Sequence, residues 1–149
     1  MRAVVTRVRE ASVTIDGEIV GQIGRGFLIL LGVTQDDTPA LCRKLAEKVL
    51  GLRIFTDENY KMNLGLGDVG GSVLVVSQFT LYGDCSHGRR PNFLAAAGPE
   101  QAVPLYEQFL QECERLGFPP QHGQFGAHMQ VASVNDGPVT MIVDTKDLK

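Results

Sequence analysis

The sequence predicts an α+β fold: a strongly curved, barrel-like, mainly antiparallel sheet with two helices packed outside it. Three observations point there. The opening third alternates apolar and polar residues, the signature of half-buried strands. Only two segments, around 39–52 and 99–116, repeat their apolar residues at helical spacing. The order β-β-β-α-β-β-α-β-β-β therefore has too few helices for a doubly wound α/β sheet.

Residues 2 to 9 set Val4, Thr6 and Val8 on one face against Val5, Arg7 and Arg9, and Val13 and Ile15 extend the strand. Asp16-Gly17 is a hairpin turn of the kind that needs positive φ. Ile19, Val20 and Ile23 return the chain, and Phe27 to Val33 is a buried strand. Asp37 or Thr38 can cap a helix with Pro39 in its first turn, and Leu41, Leu45, Val49 and Leu52 form its apolar stripe. Arg53-Ile54-Phe55 reads as a short strand turned by Asp57-Glu58-Asn59. Residues 61–71 hold four glycines without the lysine or spacing of a phosphate loop, so they read as a connector.

Val73 to Val76 is a short β-branched run, a strand buried on both faces. A loop from Tyr82 to Asn92 follows, carrying Asp84, His87, Arg89 and Arg90, the densest basic patch in the chain. Such a patch is usually solvated, and beside a polar strand end it suits phosphate. Leu105, Phe109, Cys113 and Leu116 stripe the second helix, whose start is placed at Gly98-Pro99 or after Pro104, and Gly117 ends it. Two strands are expected at 122–126 and 128–134, then a turn at Asn135-Asp136-Gly137-Pro138 and a closing strand over 139–143.

The whole chain, 1–149, reads as one domain, long enough to bury about 68–70% of its unfolded surface. Apolar content of 44%, charged content of 21% and a net charge of −3 are ordinary for a globule and advertise no global affinity for nucleic acid. No signal-peptide core or membrane-length apolar run is present, and Cys42, Cys85 and Cys113 form no CxxC pair. A cytoplasmic protein with reduced thiols, no metal and no cofactor is the expectation. His87, His122 and His128 lack metal-ligand spacing, and hydrolase templates such as G-x-S-x-G are absent.

Chemistry concentrates at two places. Ser77, Gln78 and Thr80 bring hydrogen-bonding side chains to the end of a buried strand, where they need partners or a purpose. They either satisfy loop backbone or form a ligand site. Thr80 has no dedicated base, so an enzyme here works by orientation and backbone amides. Gly137-Pro138 is the second place. An X-Pro bond is the common site of a cis peptide, and the glycine leaves room for a close ligand. A plain hairpin turn is the simpler reading; Asn135 and Thr140 can lock its backbone.

Ser77-Gln78-Phe79-Thr80-Leu81 together with Asn135-Asp136-Gly137-Pro138-Val139-Thr140 resembles the paired signature of the D-aminoacyl-tRNA deacylases. The likeness extends through Met1-Arg2-Ala3-Val4-Val5, Leu52-Arg53-Ile54-Phe55, Lys61-Met62-Asn63, Arg90-Pro91 and Met129-Gln130-Val131. The resemblance implies that family's fold, a homodimer, and hydrolysis of the ester between a D-amino acid and the terminal ribose of tRNA. Glycine mischarged on alanine tRNA is a second substrate it implies. A cis Gly137-Pro138 of one chain would screen the amino acid held at Ser77 to Thr80 of the other and reject L-aminoacyl-tRNA. Ser77 and Gln78 would order the pocket, and the Phe79 or Thr80 amide would hold the oxyanion. The ribose 2′-hydroxyl would assist attack, with Thr80 as covalent nucleophile ranked second. Phe125, Met129 and Ala102 would line the adenosine pocket. His128, Asn92 and Gly83 depart from the family's usual residues, outside both motifs. The alternative is a non-catalytic module that binds the tRNA 3′ end on the same fold.

Overall fold

The computed structural model describes residues 1–149. Its centre is β1 (Arg2–Ile15), a 14-residue strand that pairs with three others. The Asp16-Gly17 turn takes positive φ at both residues, 51° and 81°, and returns the chain as β2 (Glu18–Ile23), antiparallel to the second half of β1. Next comes β3 (Gly26–Gly32), which pairs antiparallel with the first half on the same edge. β6 (Ser72–Ser77) adds to β3 in parallel, and the two-residue β7 (Gln121–His122) adds to β6, also in parallel. The other edge of β1 is covered along its length by β8 (Gln130–Asp144), antiparallel. The sheet curls until β2 meets β7: a Cβ on Gly21 would lie 2.8 Å from the His122 carbonyl oxygen. The result is a nearly closed, barrel-like mixed sheet, less uniformly antiparallel than expected, because sequence periodicity identifies strands but not their neighbours.

Helix α1 (Pro39–Leu50) starts as its cap predicts: Thr38 Oγ1 accepts the Leu41 amide at 3.3 Å, with Pro39 first in the helix. Asp37 is left for another task, accepting the Met1 ammonium at 2.6 Å and the Thr34 amide at 2.7 Å. The glycine-rich connector holds β5 (Met62–Leu64), paired with β4 (Phe55–Thr56), and a single turn α2 (Leu66–Val69). That turn is a third helix beyond the two expected. The last helix, α3 (Pro99–Arg115), starts at Pro99 and runs through Pro104. A proline this early forfeits one intrahelical bond, which the buried stripe of Ala102, Leu105, Tyr106, Phe109 and Cys113 outweighs.

The core has two parts because β1 slips register near Arg7 and Val8. Ala3 and Val5 join Phe27, Ile29, Leu45, Val49, Val73, Val75 and Phe109 under the helices. Past the slip, Val8, Ala11 and Val13 join Ile23, Leu28, Leu74 and Val76 on the other face. Such bulges re-aim side chains by one position. Strict alternation therefore fails here: Arg7 follows Ala3 and Val5 into the interior at 8% exposure, the next residue, Val8, is buried too, and Arg9 is exposed. Cys42 and Cys113 are buried, and burial pushes both thiols up to about 12; Cys85 is exposed. No helix is long and apolar enough to cross a membrane.

The largest correction concerns the C-terminal third. The expected strands at 122–126, 128–134 and 139–143, with a hairpin at 135–138, are instead the short β7 and one 15-residue β8. Asn135-Asp136-Gly137-Pro138 is no hairpin. Register shifts against β1, between Thr6 and Val8 and between Val8 and Glu10, absorb the extra residues, and the strand continues.

Where β8 ends, Arg2 ties three pieces together. Its Nε donates to Asp144 Oδ2 at 2.9 Å, its Nη1 donates to the Leu81 carbonyl at 2.7 Å, and its guanidinium lies 4.7 Å from the Tyr82 ring centroid. Burial pushes the Asp144 carboxyl up, but the Lys146 amide and Arg2 outweigh it and hold it below its ordinary 3.8. A carboxylate so depressed adds stability above that ordinary value and loses it as pH falls through its own lower one. Asp144→Asn is expected to unfold about 1–2 kcal/mol more easily at pH 7. The gap should close on acidification, as measured by thermal unfolding across pH.

Candidate active site

The strand that leads into the site is buried at Val73, Leu74, Val75 and Val76 and surfaces at Ser77. Parallel pairing sets Ser77 beside Leu31, and the Gln78 amide donates to the Leu31 carbonyl at 2.8 Å. The chain then tightens into one 3-10 turn, Phe79–Tyr82. Gly32 lets this turn lie on β3: an added Cβ would meet the Gln78 oxygen at 3.1 Å and Leu81 and Tyr82 at 3.2 Å. The turn thus rests on backbone below and on Arg2 behind. The amides of Phe79 and Thr80 open it, and the leading amides of a helical turn lack intrahelical acceptors. Gln78 Nε2 donates to Thr80 Oγ1.

Beside this turn lies a cleft of about 250 Å³. Ser77, Gln78 and Phe79 form one wall; Ala97, Ala102 and Tyr106 from α3 and its approach form the floor; Phe125 to Met129 and Val131 form the other wall. Leu31, Val33 and Val76 complete a mostly apolar lining in which His128 is the only titratable group besides Tyr106. Tyr106 is buried, donates its hydroxyl to the Val75 carbonyl at 3.2 Å, and is pushed up to about 12 by that burial. Its ring stands 5.8 Å from that of Phe125, which it props against the cleft. Met129 is seated by Gly123, where any Cβ would collide with the thioether sulfur.

Of the residues singled out from sequence, the fold gathers Ser77, Gln78, Phe79, Ala102, Phe125 and Met129 around this one cleft. Thr80 sits in the same turn but outside the lining. Gly137 and Pro138 are elsewhere: exposed, in the middle of β8, and not part of the cleft wall. The bond between them is cis, and Gly137 has φ of 135°. Asn135 locks the segment as expected, accepting the Val139 amide at 2.8 Å and donating to Thr140 Oγ1 at 2.9 Å.

Two positions that support these segments had no readable signal. One is Tyr106, which looks like any aromatic on a helix stripe. The other is Arg7. Its Nε donates to the Asp136 carbonyl at 2.9 Å, and its Nη1 donates to the Ile54 carbonyl at 2.8 Å and to Thr56 Oγ1 at 3.3 Å. Arg7 therefore fixes the peptide just before Gly137 from beneath, with Asp136 Oδ2 3.7 Å away to balance its charge.

A family model described as D-Tyr-tRNA(Tyr) deacylase matches residues 4–144. A D-aminoacyl-tRNA deacylase of Desulforudis audaxviator (strain MP104C) is 56% identical over 148 residues, covering 99% of each chain. Another from Thermus aquaticus is 56% identical, covering 99% of this chain and 97% of its own. Among solved structures, the chain is similar to a c-Myc DNA Unwinding Element Binding Protein at 41% identity and a TM-score of 0.91, over 97% of this chain and 98% of that one. A probable eukaryotic D-amino acid tRNA deacylase shares the fold at 17% identity, with a TM-score of 0.80 over 95% of this chain and 97% of that one.

Proposed function

The chain belongs to the D-Tyr-tRNA(Tyr) deacylase family and hydrolyses the ester of D-aminoacyl-tRNA, and from that premise we propose how its site performs and restricts the reaction. The terminal adenosine of the tRNA enters the apolar cleft, where its base stacks on Phe125 and packs against Ala102 and Met129, as single-stranded RNA ends do on aromatic rings. Ser77 and Gln78 hold the rim. The ester carbonyl then lies over the turn at Phe79. Water attacks the carbonyl carbon, and the Phe79 amide, with Thr80's beside it, stabilises the oxyanion that forms. The ester bond breaks, the ribose oxygen leaves with a proton, and the ribose 2′-hydroxyl assists that transfer.

Thr80 is not the nucleophile in this reading. Its hydroxyl accepts from the Gln78 amide nitrogen, which cannot take up a proton. Chirality is read by a second copy of the chain. The observation that carries this is the separation of the two motifs: Gly137-Pro138 stands exposed on β8, away from the cleft of its own chain. In a homodimer the partner's Gly137 and the partner's Pro138 cover the amino acid. Their carbonyls hold its ammonium group, and their backbone occupies the space an L side chain needs. Exposed Val131, Val134 and Ile142 on the same strand give the second copy apolar surface to bury. Glycine has no side chain to reject, so glycine mischarged on alanine tRNA passes the same filter. One domain over 1–149, working in the cytoplasm without metal or cofactor, suffices for this.

The test is hydrolysis of matched D- and L-tyrosyl-tRNA by the purified protein, with its mass in solution measured alongside. Rapid release of the D ester, sparing of the L ester and a dimeric mass are expected. Equal cleavage of both esters, or a monomer that still discriminates, would end the two-chain filter.

A further inference from the structure

The segment after the catalytic turn has a shape that the reaction itself does not use. Asp84 and Asn92 exchange both backbone hydrogen bonds, at 2.7 and 3.0 Å, and close residues 84–92 into a small hairpin. Its first turn is set by Asp84 Oδ1, which accepts the Ser86 amide at 2.9 Å; Gly88 supplies the positive φ of 65° at the tip. Pro91 stiffens the returning arm. The root is bonded to the site: the Gly83 amide donates to the Thr80 carbonyl at 3.0 Å, and the Phe93 ring meets the edge of Phe79 at 5.1 Å. The root of the hairpin is therefore held beside Phe79, which lines the cleft.

At its end stand Arg89 and Arg90, both exposed. Neither takes part in any of the protein's six ion pairs. The hairpin's single acid, Asp84, is committed to Ser86. On a chain of net charge −3 this is a local positive projection, held ready rather than neutralised. Two adjacent guanidinium groups on a stiff support suit the forked geometry of phosphate oxygens.

We propose that the 84–92 hairpin grips the phosphate backbone of the tRNA strand as it leaves the cleft, setting affinity for tRNA without taking part in ester cleavage. This rests on tRNA being the substrate. The apolar cleft suits the uncharged nucleoside, so the phosphates that join the terminal nucleotide to the rest of the tRNA must pass over its rim. The hairpin is rooted next to that rim, through Phe93 on Phe79.

The experiment compares two substrates on the same enzyme: D-tyrosyl-tRNA, and the D-tyrosyl ester of adenosine, which has no phosphate. For the double variant Arg89→Ala/Arg90→Ala, KM for the tRNA is expected to rise roughly tenfold with kcat unchanged. The dependence of log(kcat/KM) on log salt should flatten by about 1 to 1.5. The adenosine ester should be cleaved as by the wild type. The double lysine variant, which keeps charge without the fork, should recover part of the loss. Unchanged tRNA kinetics would overturn the proposal and leave the arginines to some other anion. An equal loss on both substrates would also overturn it, because the hairpin would then act by shaping the catalytic turn. Wild-type cleavage of the adenosine ester tests the deacylase site separately.

Discussion

Gly137→Ala is expected to lower the rate of D-tyrosyl-tRNA hydrolysis by about 100-fold or more, because the proposed filter tolerates little displacement. Gly137 has φ of 135°, a conformation that residues with a Cβ rarely adopt. An added Cβ would also lie 2.8 Å from Arg7 Nη2 and 2.8 Å from Val139 Cγ2. Arg7 cannot yield cheaply: it is buried, and its Nε and Nη1 already serve the Asp136 and Ile54 carbonyls. Val139 is buried too. The backbone at 137 is what moves, and in the proposed filter it carries the carbonyls that hold the substrate's ammonium group. Strain of about 1–3 kcal/mol at an exposed position leaves the fold intact. Single-turnover rates and melting temperature, read together, separate lost activity from lost folding. A folded variant within threefold of wild type would show that this backbone does not touch the reaction.

Replacing Phe79 by proline has the second large effect, and alanine at the same position is its control. Phe79 opens the 3-10 turn, a place where proline fits, and Gln78 before it has a non-helical φ of −145° and ψ of 83° that proline's neighbour can adopt. Both variants lose the ring, which is largely exposed. Only proline loses the amide. Removing one oxyanion donor costs about 10²–10³ in kcat. Phe79→Pro is therefore expected to fall that far below Phe79→Ala in turnover of D-tyrosyl-tRNA. Equal rates for the two would move the oxyanion away from this amide.

What could be read from the sequence follows the range of the interactions. Thr38-Pro39, Asp16-Gly17 and the stripe Leu105-Phe109-Cys113 act within a few residues of themselves, and each is where it was expected. Ser77 to Phe79 were legible through one local motif, Phe125, Met129 and Ala102 only through the family likeness, and the six line one cleft. Arg7 was not legible, because the carbonyls that bury it are 47 and 129 residues away. Nor was the run of β8 through Asn135–Pro138. Those residue types write a turn in any short window, and only register slips in a distant partner, β1, let the strand pass. Parallel pairing of β3, β6 and β7 was equally hidden, since a buried strand has the same composition whichever way its neighbour runs.

The unbroken course of β8 has a genetic consequence. The strand begins beside its own cleft, and in the proposed dimer it would carry Gly137-Pro138 to the cleft of the other chain. A lesion in the filter is then harmless to the cleft of the chain that bears it and harmful to that of a healthy companion. In a cell making both forms, the defect would be dominant over part of the normal product, while two alleles broken at opposite ends of the site would rescue each other.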